Sequence, residues 1–170
     1  MIALPRVTSL VVLAACIAAA PVVGAQESTQ PSIAIGRFSG SLRGTSFGGA
    51  VDATKFSGSV EINPATDGRA GSYKVEVRLS SSGGSLTGRM TNMLPWSISP
   101  GRCGSRVQFL VQPMEVPPLE LRSGGNAELT WSGQMPLAAN GSYQFVIYDK
   151  GVREQDVVAC GNLKYVKPMK

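Results

Sequence analysis

Two cysteines and a small group of carboxylates are the residues here whose types can do chemistry, and a missing residue type limits them. Cys103 stands in PWSISPGRCG, from Pro95 to Gly104, and Cys160 in VVACGNL near the end of the chain. Asp149, Glu154 and Asp156 fall together in YDKGVREQD. The chain contains no histidine. Without imidazole, neither a Ser-His-Asp nor a Cys-His arrangement can be assembled. Imidazole metal sites, HExxH included, are excluded with them. A pair of carboxylates can still act as acid and base, and calcium takes oxygen ligands. The acidic spacing matches no calcium loop, however, and Lys150 and Arg153 lie close enough for local pairing. A solvated connection between strands is the expectation for Asp149–Asp156, with enzymatic use of these carboxylates as the alternative.

Whether the cysteines bond depends on the compartment, and the start of the chain bears on that. Arg6 precedes an apolar run from Leu10 to Ala20, and Val23 and Ala25 occupy the −3 and −1 positions of a cleavage site. That is the layout of a secretory signal peptide over residues 1–25. The run is too short for a membrane span, which needs about 20 apolar residues, so no transmembrane segment is expected after its removal. A competing reading takes Leu13-Ala14-Ala15-Cys16 as a lipobox, with Cys16 acylated as a lipid anchor; the apolar stretch Ile17 to Ala25 argues against it. In either case the domain is expected outside the cytoplasm, periplasmic or extracellular. With Cys16 gone, an even pair of cysteines in an oxidising compartment reads as a disulfide. Two free thiols as a metal or redox site is the weaker alternative, since no histidine completes a zinc set.

The elements that must position these residues read as strands. Tyr73, Val75, Val77 and Leu79 alternate with Lys74, Glu76 and Arg78, and Ala127, Leu129 and Trp131 alternate with Glu128, Thr130 and Ser132. Each pattern buries one face and wets the other. Val107–Gln112 (VQFLVQ) and Tyr143–Tyr148 (YQFVIY) are more apolar, as strands covered on both sides or lying under a loop would be. Asn63–Gly68 and Ser80–Ser85 are turn clusters, and Asn140-Gly141 is a hairpin signal between Leu137 and Tyr143. RFSGSL, from Arg37, is echoed by KFSGSV, from Lys55, which suits two successive strands of a meander. Helical periods are absent. The segments number roughly eight at the spacing of sandwiches and barrels. Residues 26–32 read as a flexible leader, 33–166 as one β domain and 167–170 as a tail.

The formal charge is +5, but the basic residues are scattered apart from Lys164, Lys167 and Lys170. A nucleic-acid surface needs a denser patch with interleaved aromatics, so no nucleic-acid partner is expected. Trp96 and Trp131 would favour a partner-binding surface if exposed; both are expected in the core, Trp131 because it lies on the apolar face of its strand.

From about Leu94 to Tyr165 the chain resembles the copper/zinc superoxide dismutase family, and its short secreted relatives in particular. The likeness rests on two cysteine segments. Gly101-Arg102-Cys103-Gly104 matches the family's Gly-x-Cys-Gly loop, and Ala159-Cys160-Gly161-Asn162-Leu163 matches its closing Ala-Cys-Gly. Trp96-Ser97-Ile98-Ser99 stands where the family has a His-x-His metal pair, and Tyr148 where another histidine is expected. The Gly-Gly and arginine before the last cysteine are replaced by REQDVV, and no histidines lie between Cys103 and Trp131. The resemblance implies an antiparallel Greek-key β-barrel with Cys103 bridged to Cys160. It does not carry over the catalysis: Ser97, Ser99 and Tyr148 offer neutral hydroxyls, which are poor copper ligands. The expectation is an exported, non-catalytic barrel without metal or cofactor, acting as a structural or binding module. A generic envelope β-sandwich that binds a partner is the alternative.

Overall fold

The structure, a computed structural model, describes residues 36–45, 55–67, 69–82, 92–149 and 151–168. The leader with Cys16, the Gln26–Ser32 stretch, Gly83–Ser85, Lys150 and Lys170 lie outside these residues. The described chain forms β1 (Arg37–Gly44), β2 (Phe56–Pro64), β3 (Ser72–Ser81), β4 (Met93–Leu94), β5 (Trp96–Pro100), β6 (Leu119–Glu120), β7 (Asn126–Gln134), β8 (Tyr143–Tyr148) and β9 (Val157–Val166), with a 3-10 turn at Glu154–Asp156. No helix among the described residues is long and apolar enough to cross a membrane.

Seven strands make one antiparallel sheet in the order β5-β8-β9-β1-β2-β3-β7, and β4 pairs with β6 beside it. After the β1-β2-β3 meander the chain crosses to the far edge for β5. It then returns to the opposite edge for β7 and crosses again to insert β8 between β5 and β9. These are Greek-key connections. The sheet curls until its two edges meet: Trp96 on β5 and Trp131 on β7 contact edge-to-face, with ring centroids 5.6 Å apart. Trp96 is fully buried and Trp131 half-buried.

Alternation explains the interior. On β3, Tyr73, Val75, Val77 and Leu79 are buried while Lys74 and Arg78 are exposed. The same parity turns Phe38 and Leu42 of β1 and Val60 and Ile62 of β2 inward. The two FSGS copies are neighbours, with Gly40 opposite Val60 and Leu42 opposite Gly58. Gly58 is obligatory for steric reasons, since a Cβ there would run into the Arg78 carbonyl oxygen on β3. The described part of the turn cluster, Asn63–Asp67, leads out of β2, and the Asp67 carboxylate accepts from Arg69 N (3.2 Å) and Ser72 Oγ (3.1 Å) at the start of β3.

Two sequence expectations are corrected. Val107–Gln112 is not a strand covered on both sides. It is irregular, joined to β5 only by a bridge from Val111 to Ile98, and Phe109 is 40% exposed. The Leu110 and Val111 amides both donate to the Ile98 carbonyl, at 2.8 and 3.2 Å. Pro113, lacking an N–H, cannot extend the ladder. Asn140-Gly141 does form a turn, with the Gly141 amide donating to Ala138 O at 3.0 Å. It does not join a hairpin, because β7 pairs with β3 and β8 with β5 and β9.

Candidate functional site

The residues singled out for chemistry collect on the outer face of β5, β8 and β9. On β5, Trp96 and Ile98 join the main core, which sends Ser97 and Ser99 to the other side. On β8, Phe145 and Ile147 face the core, so Gln144, Val146 and Tyr148 share the outer face. The register sets Ser97 against Val146 and Ser99 against Gln144, and on β9 sets Cys160 against Val146 and Asn162 against Gln144. A second apolar cluster forms here from Val146, Tyr148, Val157 and Cys160, with Cys103 and Val152 packed on it. This is why all six residues of β8 are buried.

The cover is the loop after β5. Gly101 and Gly104 adopt φ of 100° and 91°, a region that favours glycine. They turn the chain back over the strands it has just left. Gly101 N donates to Ser142 O (2.8 Å) and Cys103 N to Asn162 Oδ1 (2.8 Å). Cys103 and Cys160 form a disulfide, with Cα atoms 5.9 Å apart, within the usual range of about 4.4–6.8 Å. The cysteine pairing expected from the sequence is thus present, across 57 positions of chain.

Of the three hydroxyl residues singled out in the sequence, Ser97, Ser99 and Tyr148, the structure joins two directly. Ser97 Oγ and Tyr148 OH hydrogen-bond at 3.1 Å, and both residues are fully buried. Burial raises the Tyr148 phenol above its ordinary pKa, the Ser97 bond pulls it partly back, and the Glu154 charge adds to the rise. The phenol therefore stays protonated throughout the neutral range. Ser99 is also fully buried, but its Oγ has no hydrogen-bond partner. Tyr148→Phe is expected to cost about 1–3 kcal/mol, because it strands a buried Ser97 hydroxyl. Adding Ser97→Ala should return part of that loss, as measured by urea denaturation of both variants. A double variant less stable than Tyr148→Phe alone contradicts a simple pair.

The three carboxylates lie on the connection between β8 and β9. Asp156 is committed to Arg153, whose Nε lies 3.0 Å from Oδ2. Asp149 meets Asp156 through the backbone, its amide donating to the Asp156 carbonyl at 2.8 Å. Glu154 is exposed. Among the described residues no group of three or more His, Cys, Asp or Glu is placed to hold a metal ion.

One residue of this face escaped the sequence reading. Gln144 is 1% exposed. Its Nε2 has no hydrogen-bond partner. Its Oε1 lies 3.6 Å from Cys160 Sγ, but a disulfide sulfur carries no proton to donate, so that contact does not satisfy the oxygen. A glutamine inside the apolar run YQFVIY was the available signal: a strand covered on both faces has nowhere wet to put it. Neither a family model nor a curated protein matches this chain.

Proposed function

We propose that this protein is an exported, non-catalytic β-barrel module built on the plan of the copper/zinc superoxide dismutases, serving a structural or binding task. The observation that carries this reading is the Ser97–Tyr148 hydrogen bond at two of the histidine-like positions. Two groups that satisfy each other leave no ligand set. The buried donors on this face are Ser97, Ser99, Gln144 and Tyr148, with both cysteine sulfurs already in a disulfide. A copper or zinc ion requires imidazole, thiolate or carboxylate, and a phenol would bind only after losing its proton. Burial opposes that loss at Tyr148. These residues do not fit the family's metals. What remains of the plan is the tether of the Gly101–Gly104 loop to β9, which also supports placement in an oxidising compartment.

The test is metal analysis, a free-thiol count and a superoxide dismutation assay on the secreted protein after incubation with copper and zinc. The expected result is no stoichiometric metal, no free thiol and no dismutation beyond that of buffer. Stoichiometric copper with dismutase activity overturns the proposal. Mass spectrometry of the same material tests export: a mature N-terminus at Gln26 is expected, whereas an acylated Cys16 replaces the free module with an anchored one.

A further inference from the structure

A cavity of about 60 Å³ lies between the disulfide loop and the outer face of β8 and β9. Gly104, Ser105 and Val107 close it from the loop side, and Gln144, Val146, Val157 and Cys160 from the strand side. At roughly 10–15 Å³ per water-sized group, it takes an occupant of about four to six such groups. The walls are chiefly apolar, and the one ionisable side chain lining them, Glu154, is an exposed residue.

Gln144 is the anomaly in this wall. It is almost wholly buried, and neither end of its amide has a hydrogen-bond partner among the described residues. Native interiors satisfy nearly all such groups, and one that is not satisfied calls for an absent partner. The neighbouring Ser99, directly across the strand pair, has a free buried hydroxyl as well. Opposed residues stand about 4.5–5.5 Å apart at Cβ, so the two polar groups serve one locality.

We propose that this cavity is a binding site for a small primary carboxamide, with Gln144 as its anchoring residue. The choice of ligand follows from elimination. A hydrocarbon leaves the Gln144 amide unpaired. A carboxylate would enter beside the like charge of Glu154, and an ammonium ion, which has donors only, leaves the Gln144 N–H unmet. A carboxamide presents a C=O and an N–H side by side, the complement of Gln144's own N–H and C=O. The last torsion of glutamine is soft, so the amide can turn to meet it. Such a group arrives either as a free small amide or as the side chain of asparagine or glutamine on another protein. The site gives the binding module a ligand class, and rests on the foregoing functional reading only in treating this face as a binding surface.

The experiment is titration of ¹⁵N-labelled protein, followed by the Gln144 side-chain amide and the backbone amides of Gly104, Val146 and Val157. The probes are acetamide and N-acetylasparagine methylamide, with acetate and ethylamine as controls. Saturable shifts with both amides, at millimolar affinity or tighter, are expected. Tighter binding of the asparagine derivative assigns the site to a protein side chain, and tighter binding of acetamide to a free amide. Gln144→Met is expected to weaken both about tenfold or more through loss of the paired hydrogen bonds. If that variant does not fold, Val107→Phe fills the cavity from the loop side and must abolish the response. No saturable shift, preference for acetate or ethylamine, or unchanged binding by Gln144→Met overturns the proposal. Copper-dependent dismutation would overturn the functional reading and leave carboxamide binding standing, so the two failures are distinguishable.

Discussion

Replacing Cys103 and Cys160 together by serine is expected to lower stability by about 4 kcal/mol. The tether spans 57 positions, and chain-entropy arithmetic for a loop of that size gives about 4 kcal/mol through restriction of the unfolded chain. A domain typically holds only about 5–15 kcal/mol in total, so a large part of the margin is at stake. The folded form of the variant should still be recognisable. The loop keeps its Asn162–Cys103 backbone bond and the Gly101–Ser142 bond, and the β1-β2-β3 interior is built from residues elsewhere. Urea denaturation of the oxidised protein, the serine variant and the reduced wild type decides the matter. The last two should coincide within about 1 kcal/mol. A loss below about 1 kcal/mol in the variant would mean that the unfolded chain is not restrained by the tether as the entropy account requires.

That tether was legible in the sequence because two cysteines form an even pair once Cys16 is assigned to the leader, and the strands were legible where one face is wet. Tyr73 to Leu79 alternates because β3 packs on the core on one side only. Two kinds of feature resisted. Strand partners were hidden because a turn reports local geometry and not which strands meet: the Asn140-Gly141 turn is real, yet the strand preceding it pairs with β3 at the opposite edge. Apolar runs were ambiguous because burial and strand formation are separate conditions. Tyr143–Tyr148 is a strand between two others, while the equally apolar Val107–Gln112 meets an edge at Ile98 alone. The candidate site was half legible. Ser97, Ser99 and Tyr148 were identified by position in a motif, but the Ser97–Tyr148 bond and the unpaired Gln144 amide follow from the register of β5 on β8, which no spacing in the sequence states.

Trp96→Ala is expected to be the most damaging core substitution, at about 3–5 kcal/mol for the lost side chain and the cavity it leaves. Trp96 is fully buried. Its ring stacks on Phe145 with centroids 5.1 Å apart and an interplanar angle of 14°. It meets Trp131 edge-on across the seam where β5 approaches β7. Its Nε1 donates to the Pro117 carbonyl at 2.8 Å, so alanine also orphans that oxygen. Trp96→Phe separates the two contributions. It keeps an aromatic ring between Phe145 and Trp131 and removes the Pro117 bond, for an expected cost of about 1–3 kcal/mol. The location of the damage matters as much as its size. The seam holds the two sheet edges together through aromatic contact, whereas β1, β2 and β3 are joined by continuous ladders. Native-state hydrogen exchange of Trp96→Phe should therefore accelerate at β5 and the neighbouring Pro117–Leu121 segment well before β2 and β3 respond. Uniform acceleration across all strands would show that the seam and the meander open as one unit, and that the two tryptophans do not close the barrel independently of its ladders.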